Sequence, residues 1–151
     1  MGCFYSSGLV VKQNSKEAAK WYRKAAEQGV VDAQSILGGC YAKGYGVKKN
    51  MTEAIKWFLM AANQGETFAQ CWLGLCYYHG DGVERDLEEA AKWYGKAAEL
   101  GASEAQYSLG CLYFNGEGVK KNKAKAIKWF RKAAAQGHKE AIKWLSQLSE
   151  E

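Results

Sequence analysis

Cys71, Cys76, His79 and Asp81 form the densest local group of metal-ligand residue types in the chain. Two cysteines five apart on a helix are rotated by about 140° from each other, so they cannot share one tetrahedral ion with His79 while the helix stays intact. The five cysteines, Cys3, Cys40, Cys71, Cys76 and Cys111, are an odd number without a CxxC pair and do not read as a disulfide framework. Gly44-Tyr45-Gly46, Gly80-Asp81-Gly82 and Gly116-Glu117-Gly118 lie near lysines, as a phosphate-cradling loop would. They lack the preceding strand and the third glycine of that motif, and read as structural turns. Met1-Gly2-Cys3-Phe4-Tyr5-Ser6 fits the N-myristoylation pattern, with a cysteine for a second acyl chain. That stretch is also in register with Gly110-Cys111-Leu112-Tyr113-Phe114-Asn115, which explains it as the tail of an incomplete repeat. Catalysis needs a nucleophile, a base and an orienting group that converge, and every candidate here has a better explanation in a recurring structural position. The expectation is a protein with no catalytic residue, no metal and no cofactor.

The register organises everything else. Trp21, Trp57, Trp93 and Trp129 follow one another every 36 residues, each inside a Lys-Trp-Tyr/Phe run. A fixed period in the range of about 20 to 50 residues is the signature of stacked repeats, in which neighbours complete a core that one unit cannot bury alone. With 48% apolar residues and no proline in 151, the chain is expected to be helical throughout. The copies are set at 15–50, 51–86, 87–122 and 123–151, after a partial copy at 1–14.

Each copy opens on a helix, the first from about Ser15 to Gln28. Asn14 with Glu17, Asn50 with Glu53 and Asp86 with Glu89 have capping-box spacing. Ala18, Trp21, Tyr22, Ala25 and Ala26 share one face and are expected in the core, with Lys20, Lys24 and Glu27 opposite. Gly29, Gly65, Gly101 and Gly137 stop these helices. Second helices follow, for which Thr67 with Gln70 and Ser103 with Gln106 predict further capping boxes, and Ala33, Leu37, Cys40 and Tyr41 form the apolar face. Gly38, Gly74 and Gly110 lie inside second helices, where glycine costs about 1 kcal/mol relative to alanine, so they predict close backbone approach between packed helices. Lys143, Gln147 and Glu150 make the last helix polar, as an end cap would be.

The motif A-x-K-W-[YF]-x-K-A-A, then Gly, then A-Q-x-x-L-G, a tyrosine and G-x-G-V resembles the Sel1-like repeat family, relatives of tetratricopeptide repeats. The resemblance covers about residues 1 to 149. It implies an all-α, right-handed superhelical solenoid of helix pairs, used as an adaptor for other proteins, with the first helices lining the concave side. It implies no shared active site.

A net charge of +5 is modest for a domain of this size and argues for solubility above nucleic-acid binding. No run of 18 apolar residues and no secretory leader is present, so a cytoplasmic protein is expected. The reading is a non-catalytic scaffold for a protein or peptide, with electrostatic binding of nucleic acid or anionic membrane as the alternative. Two departures from the repeat mark candidate contact residues. Leu59, Met60 and Phe68 place apolar side chains where other copies have polar ones. From Lys120 to Lys132 the chain carries seven cations and no acid. Lys125 stands where the other copies have the capping-box glutamate, and Lys123 and Lys125 load the first turn against the helix dipole, at about 0.3 to 1 kcal/mol each. Lys125, Lys128, Arg131 and Lys132 therefore point to an acidic partner, and Lys20, Lys56 and Lys92 would extend the patch along the first helices. The short segment from Met1 to Ser7 is expected to leave the N-terminal end sticky and to permit a homodimer.

Overall fold

The computed structural model describes residues 10–149, and it gives eight helices and no strand among them. They are α1 (Val10–Glu27), α2 (Val31–Lys43), α3 (Met51–Ala62), α4 (Thr67–His79), α5 (Leu87–Glu99), α6 (Ser103–Asn115), α7 (Lys123–Ala135) and α8 (Lys139–Ser149). Odd-numbered helices are the first of each copy, even-numbered the second. The partial copy's Met1–Ser7 segment, Cys3 and the acylation pattern lie outside the described residues.

α1 corrects the expected start at Ser15, because it is already helical at Val10 and carries Asn14 inside. In the repeat register Val10 replaces the second turn glycine, which is Gly46, Gly82 and Gly118 elsewhere, with φ of +70°, +77° and +71°. A β-branched residue avoids that left-handed conformation, so the turn that would set Asn14 up as a cap is not made. Glycine is required there twice over: a Cβ on Gly118 would lie 2.0 Å from the Leu87 carbonyl oxygen at the start of α5.

The later caps form with one change. Asn50, Asp86 and Asn122 accept the amides of Glu53, Glu89 and Lys125 at 3.1, 3.1 and 3.0 Å. The reciprocal half of the box is occupied differently, since the amides of Asn50, Asp86 and Asn122 donate to the carbonyls of Tyr41, Tyr77 and Tyr113, each at 2.9 Å. A carboxylate three residues on is therefore not needed, and Lys125 breaks no capping rule. At the other end, Val30, Glu66, Ala102 and His138 donate back to Ala25, Ala61, Ala97 and Ala133, six-to-one bonds around a positive-φ glycine that close four Schellman motifs.

The boxes expected at Thr67 and Ser103 are overturned. α4 is capped from outside by Glu66, whose carboxylate accepts the amides of Phe68 and Ala69 at 3.2 and 2.7 Å, and α6 has no side-chain cap. The glutamines of that motif are buried instead. Gln34 Nε2 donates to the Ala26 carbonyl at 3.2 Å, and its Oε1 accepts from Gln64 Nε2 at 3.0 Å. Gln106 repeats this with the Ala98 carbonyl at 3.1 Å and Gln136 at 3.0 Å. A buried amide must be hydrogen-bonded, and here it ties three helices' ends by polar contacts.

By contact the chain divides into two units, residues 1–69 with 81–83, and 70–80 with 84–151. In the first, α2 packs against both α1 and α3; in the second, α6 packs against both α5 and α7, and α7 carries α8. Alanine dominates the contacts, with Leu37 and Phe58 fully buried in one unit and Leu73, Leu112 and Phe130 in the other. Each buried large apolar side chain contributes about 1.5 to 3 kcal/mol. The helix-interior glycines do mark close approach, but the partner is an aromatic ring and not a helix backbone. A Cβ on Gly38, Gly74 or Gly110 would come within 2.7 Å of Phe58, Tyr94 or Phe130. The ring after Trp57, Trp93 and Trp129 is thus seated on a glycine of the preceding second helix.

Trp21 is a further correction. Trp57 and Trp93 are 7% and 4% exposed, but Trp21 is 69% exposed. Among the described residues no second helix precedes α1 to lie against it.

Candidate interaction surface

α7 forms because Asn122 caps it and Ala126, Phe130 and Ala133 supply a buried stripe at helical spacing. That stripe fixes what faces outward. Lys125, Lys128, Arg131 and Lys132 are all exposed, as are Lys120, Lys121 and Lys123. The first turn of α7 has no acid, where α3 has Glu53 and α5 has Glu88 and Glu89. Aromatic rings hold part of the array in place: Lys123 Nζ lies 5.7 Å from the Phe114 centroid, Lys125 Nζ 5.4 Å from Tyr113 and Lys132 Nζ 4.8 Å from Trp129. No carboxylate is in salt-bridge range of these cations among the described residues. Lys92 differs, with Glu89 at 3.7 Å and the Trp93 ring at 5.9 Å.

In the first unit Lys20 and Lys56 are exposed. Met60 and Phe68 are exposed too, whereas Leu59 is only half-buried, at the border of the core stripe. The N-terminal end on which a homodimer was expected lies outside the described residues.

His138 and several buried thiols and phenols have structural places. His138 caps α8, its Nδ1 accepting the Ala141 amide at 3.3 Å while Nε2 faces Glu104 at 3.2 Å and the ring stacks on Tyr107. Burial pushes the Cys40 and Cys111 thiols up, away from the thiolate a nucleophile needs. Burial also raises Tyr94, and pushes Tyr107 up to about 12 with help from Cys111. Among the described residues no group of three or more His, Cys, Asp or Glu is placed to hold a metal ion, and no helix is long and apolar enough to cross a membrane.

Sequence reading missed one feature of this face. Gly95 stands where other copies carry Arg23, Leu59 and Arg131, and a cleft of about 320 Å³ opens beside it, lined by Leu109, Tyr113, Val119 and Trp129 among others. The available signal was a glycine on the polar side of a helix.

The Sel1 repeat family model matches residues 1–30, 31–66, 67–101 and 103–138. The chain belongs to the Sel1 repeat family. Its helices also superpose on solved Sel1 repeat structures. A protective antigen of uropathogenic Escherichia coli with this fold is 42% identical at a TM-score of 0.85, over 93% of this chain and 30% of that one. A Sel1 repeat protein from Oxalobacter formigenes is 40% identical at 0.86, over 97% and 60%. Helicobacter pylori cysteine-rich protein B is 30% identical at 0.68, over 87% and 95%. The chain thus spans under two thirds of the length of the first two. No curated protein matches the sequence. Sel1 repeats are generally protein-interaction scaffolds, and the helical repeat fold found here is theirs.

Proposed function

We propose that this chain is a non-catalytic interaction module that docks an acidic segment of a partner protein on the exposed face of α7. The observation that carries the reading is the unpaired cation array itself. Seven cations from Lys120 to Lys132 are exposed without an acid among them, two of them in a first turn where the helix dipole disfavours positive charge. The fold does not require them, because Asn122 caps the helix and its own amide is already bonded to Tyr113. Charge held against a local cost and without a carboxylate partner is expected where a binding partner supplies the opposite sign. Lys20, Lys56 and Lys92, with Leu59, Met60 and Phe68, are proposed as secondary contacts on the other copies.

The test is a fluorescent peptide of Asp and Glu titrated with the wild type and with K128E/R131E/K132E. The variant should keep its helical spectrum and lose binding, and wild-type affinity should fall as salt is added. Equal binding by both proteins would reduce the basic run to a solvated face. Preference for duplex DNA over the peptide at the same salt would instead favour the nucleic-acid reading, with its steeper salt dependence.

A further inference from the structure

The second unit holds a cleft beside a helix residue that has no side chain, Gly95. Gly95 lies in the middle of α5 at ordinary helical φ, and a Cβ built on it meets nothing within 4 Å. Neither a left-handed backbone nor a tight contact therefore requires glycine there, unlike Gly74 and Gly110 in the same unit. It nevertheless costs about 1 kcal/mol of helix stability relative to alanine. Beside it opens the cleft of about 320 Å³, whose lining includes Leu109 and Val119 and, as aromatic walls, Tyr113 and Trp129.

The first unit offers the comparison. There the residue in this register is Arg23, whose guanidinium donates to the Tyr41 hydroxyl. The corresponding space is larger, about 620 Å³, and is lined by Tyr41 and Val47, the counterparts of Tyr113 and Val119, together with Lys48, Lys49, Asn50 and Glu53, but neither Leu37 nor Trp57 lines it. Trp57 is 7% exposed, whereas Trp129, its counterpart across from Gly95, is half-buried and lines the cleft. What distinguishes the cleft beside Gly95 is thus that Leu109 and Trp129 join its lining, where the first unit has Lys48 and Lys49.

Two lysines of α7 stand over the two aromatic walls, Lys125 over Tyr113 at 5.4 Å and Lys132 over Trp129 at 4.8 Å. On the α5 side the rim is mixed, with Lys92 between Glu88 and Glu99. An occupant must therefore be apolar where it enters and acidic where it runs along α7. A volume near the lower end of the roughly 300 to 1,000 Å³ of small-ligand sites suits one large side chain.

We infer that the Gly95 cleft seats a single large apolar side chain, of phenylalanine size, carried by the acidic segment that α7 binds. The inference rests on the docking reading above and adds the anchor that would give it sequence preference, since charge alone is permissive.

The test uses a short peptide of Asp and Glu with one central Phe, and its Phe→Ala counterpart. Wild type should bind the Phe peptide about ten-fold to a hundred-fold tighter, the range set by burying a side chain of this size. Gly95→Leu places in the cleft the residue that the second copy carries at Leu59, with room to fold and a gain in helix propensity. It should erase the difference between the peptides while leaving the affinity for the Ala peptide unchanged. K125E/K132E should weaken both peptides. Uncharged N-acetyl-phenylalanine amide, followed by NMR at Trp129 and Tyr113, separates the two readings. Shifts in wild type that vanish in Gly95→Leu support the cleft even if neither acidic peptide binds, an outcome that would overturn the acidic-partner reading alone. Equal affinity of wild type for both peptides when they bind, a preference that survives in Gly95→Leu, or no response to the fragment overturns the inference.

Discussion

Gly110→Ala sets two magnitudes against each other. Helix propensity alone favours the substitution by about 1 kcal/mol, because alanine loses less backbone entropy than glycine. Packing opposes it. The new Cβ would sit 2.7 Å from Phe130 Cε1, 2.8 Å from Cδ1 and 3.3 Å from the Ala126 carbonyl oxygen. Relieving the contact requires the ring to retreat by roughly 0.7 to 1 Å, toward an ordinary carbon separation of about 3.5 Å. The ring has nowhere to go: Phe130 is fully buried, stacked on Trp144 with centroids 5.7 Å apart and tilted against Tyr107 at 5.7 Å. Overpacking of this kind costs about 1 to 3 kcal/mol, so the net change should be a loss of about 1 kcal/mol. Gly95→Ala is the internal control, with the same gain in propensity and no neighbour within 4 Å. It should stabilise by about 0.5 to 1 kcal/mol. Urea titrations of both variants measure the gap, and adding F130L to G110A should recover part of the loss. A Gly110→Ala protein stabilised as much as Gly95→Ala would refute the claim that the ring seat is what requires glycine.

Three other outcomes are expected. Gln106→Leu removes the donor to Ala98 and the acceptor of Gln136, and should cost about 1 to 3 kcal/mol in the same titration. Lys125→Glu puts an acid back in the first turn of α7, so thermal melts should show a gain of about 0.3 to 1 kcal/mol, while acidic peptide binding weakens. At alkaline pH the sign follows from the phenols. Tyr107 is pushed up to about 12 and Tyr94 is raised, both by burial, against about 10 in the unfolded chain, so their neutral forms stabilise the fold below about pH 10. That contribution is lost as pH rises from about 10 toward 12, and Tyr107→Phe should flatten the decline in denaturation midpoint across that window.

The features legible in the sequence are those decided within a few residues of chain. Asn50 and Asp86 cap, and Gly29, Gly65, Gly101 and Gly137 close their helices, because cap chemistry and positive φ are local demands. The misses come from partners far along the chain. Gln106 sits three residues after Ser103 and imitates a capping box, but its partner is Gln136 and its environment is buried. Trp21 has the same local face as Trp57, and only a neighbouring helix decides whether that face is covered. The exposed cations of α7 were visible as a charge run, since Ala126, Phe130 and Ala133 dictate which side is out. Gly95 was visible as a residue and silent as a site, because a cleft is made by what surrounds it.

The glutamine links have a consequence for the chemical ageing of the protein. Gln34 and Gln106 are sheltered from water, but Gln64 and Gln136, which donate to them, are exposed. Hydrolysis of either exposed amide to a carboxylate would replace a donor by an acceptor. At Gln64 the new oxygen would face Gln34 Oε1 and the Met60 carbonyl, and at Gln136 it would face Gln106 Oε1 and the Gly101 carbonyl. Attraction would turn to repulsion at a buried amide without any change of shape. Slow deamidation at two surface positions would therefore act inside the helix packing, whereas the third copy, which carries Leu100 in that register, has no such amide to lose.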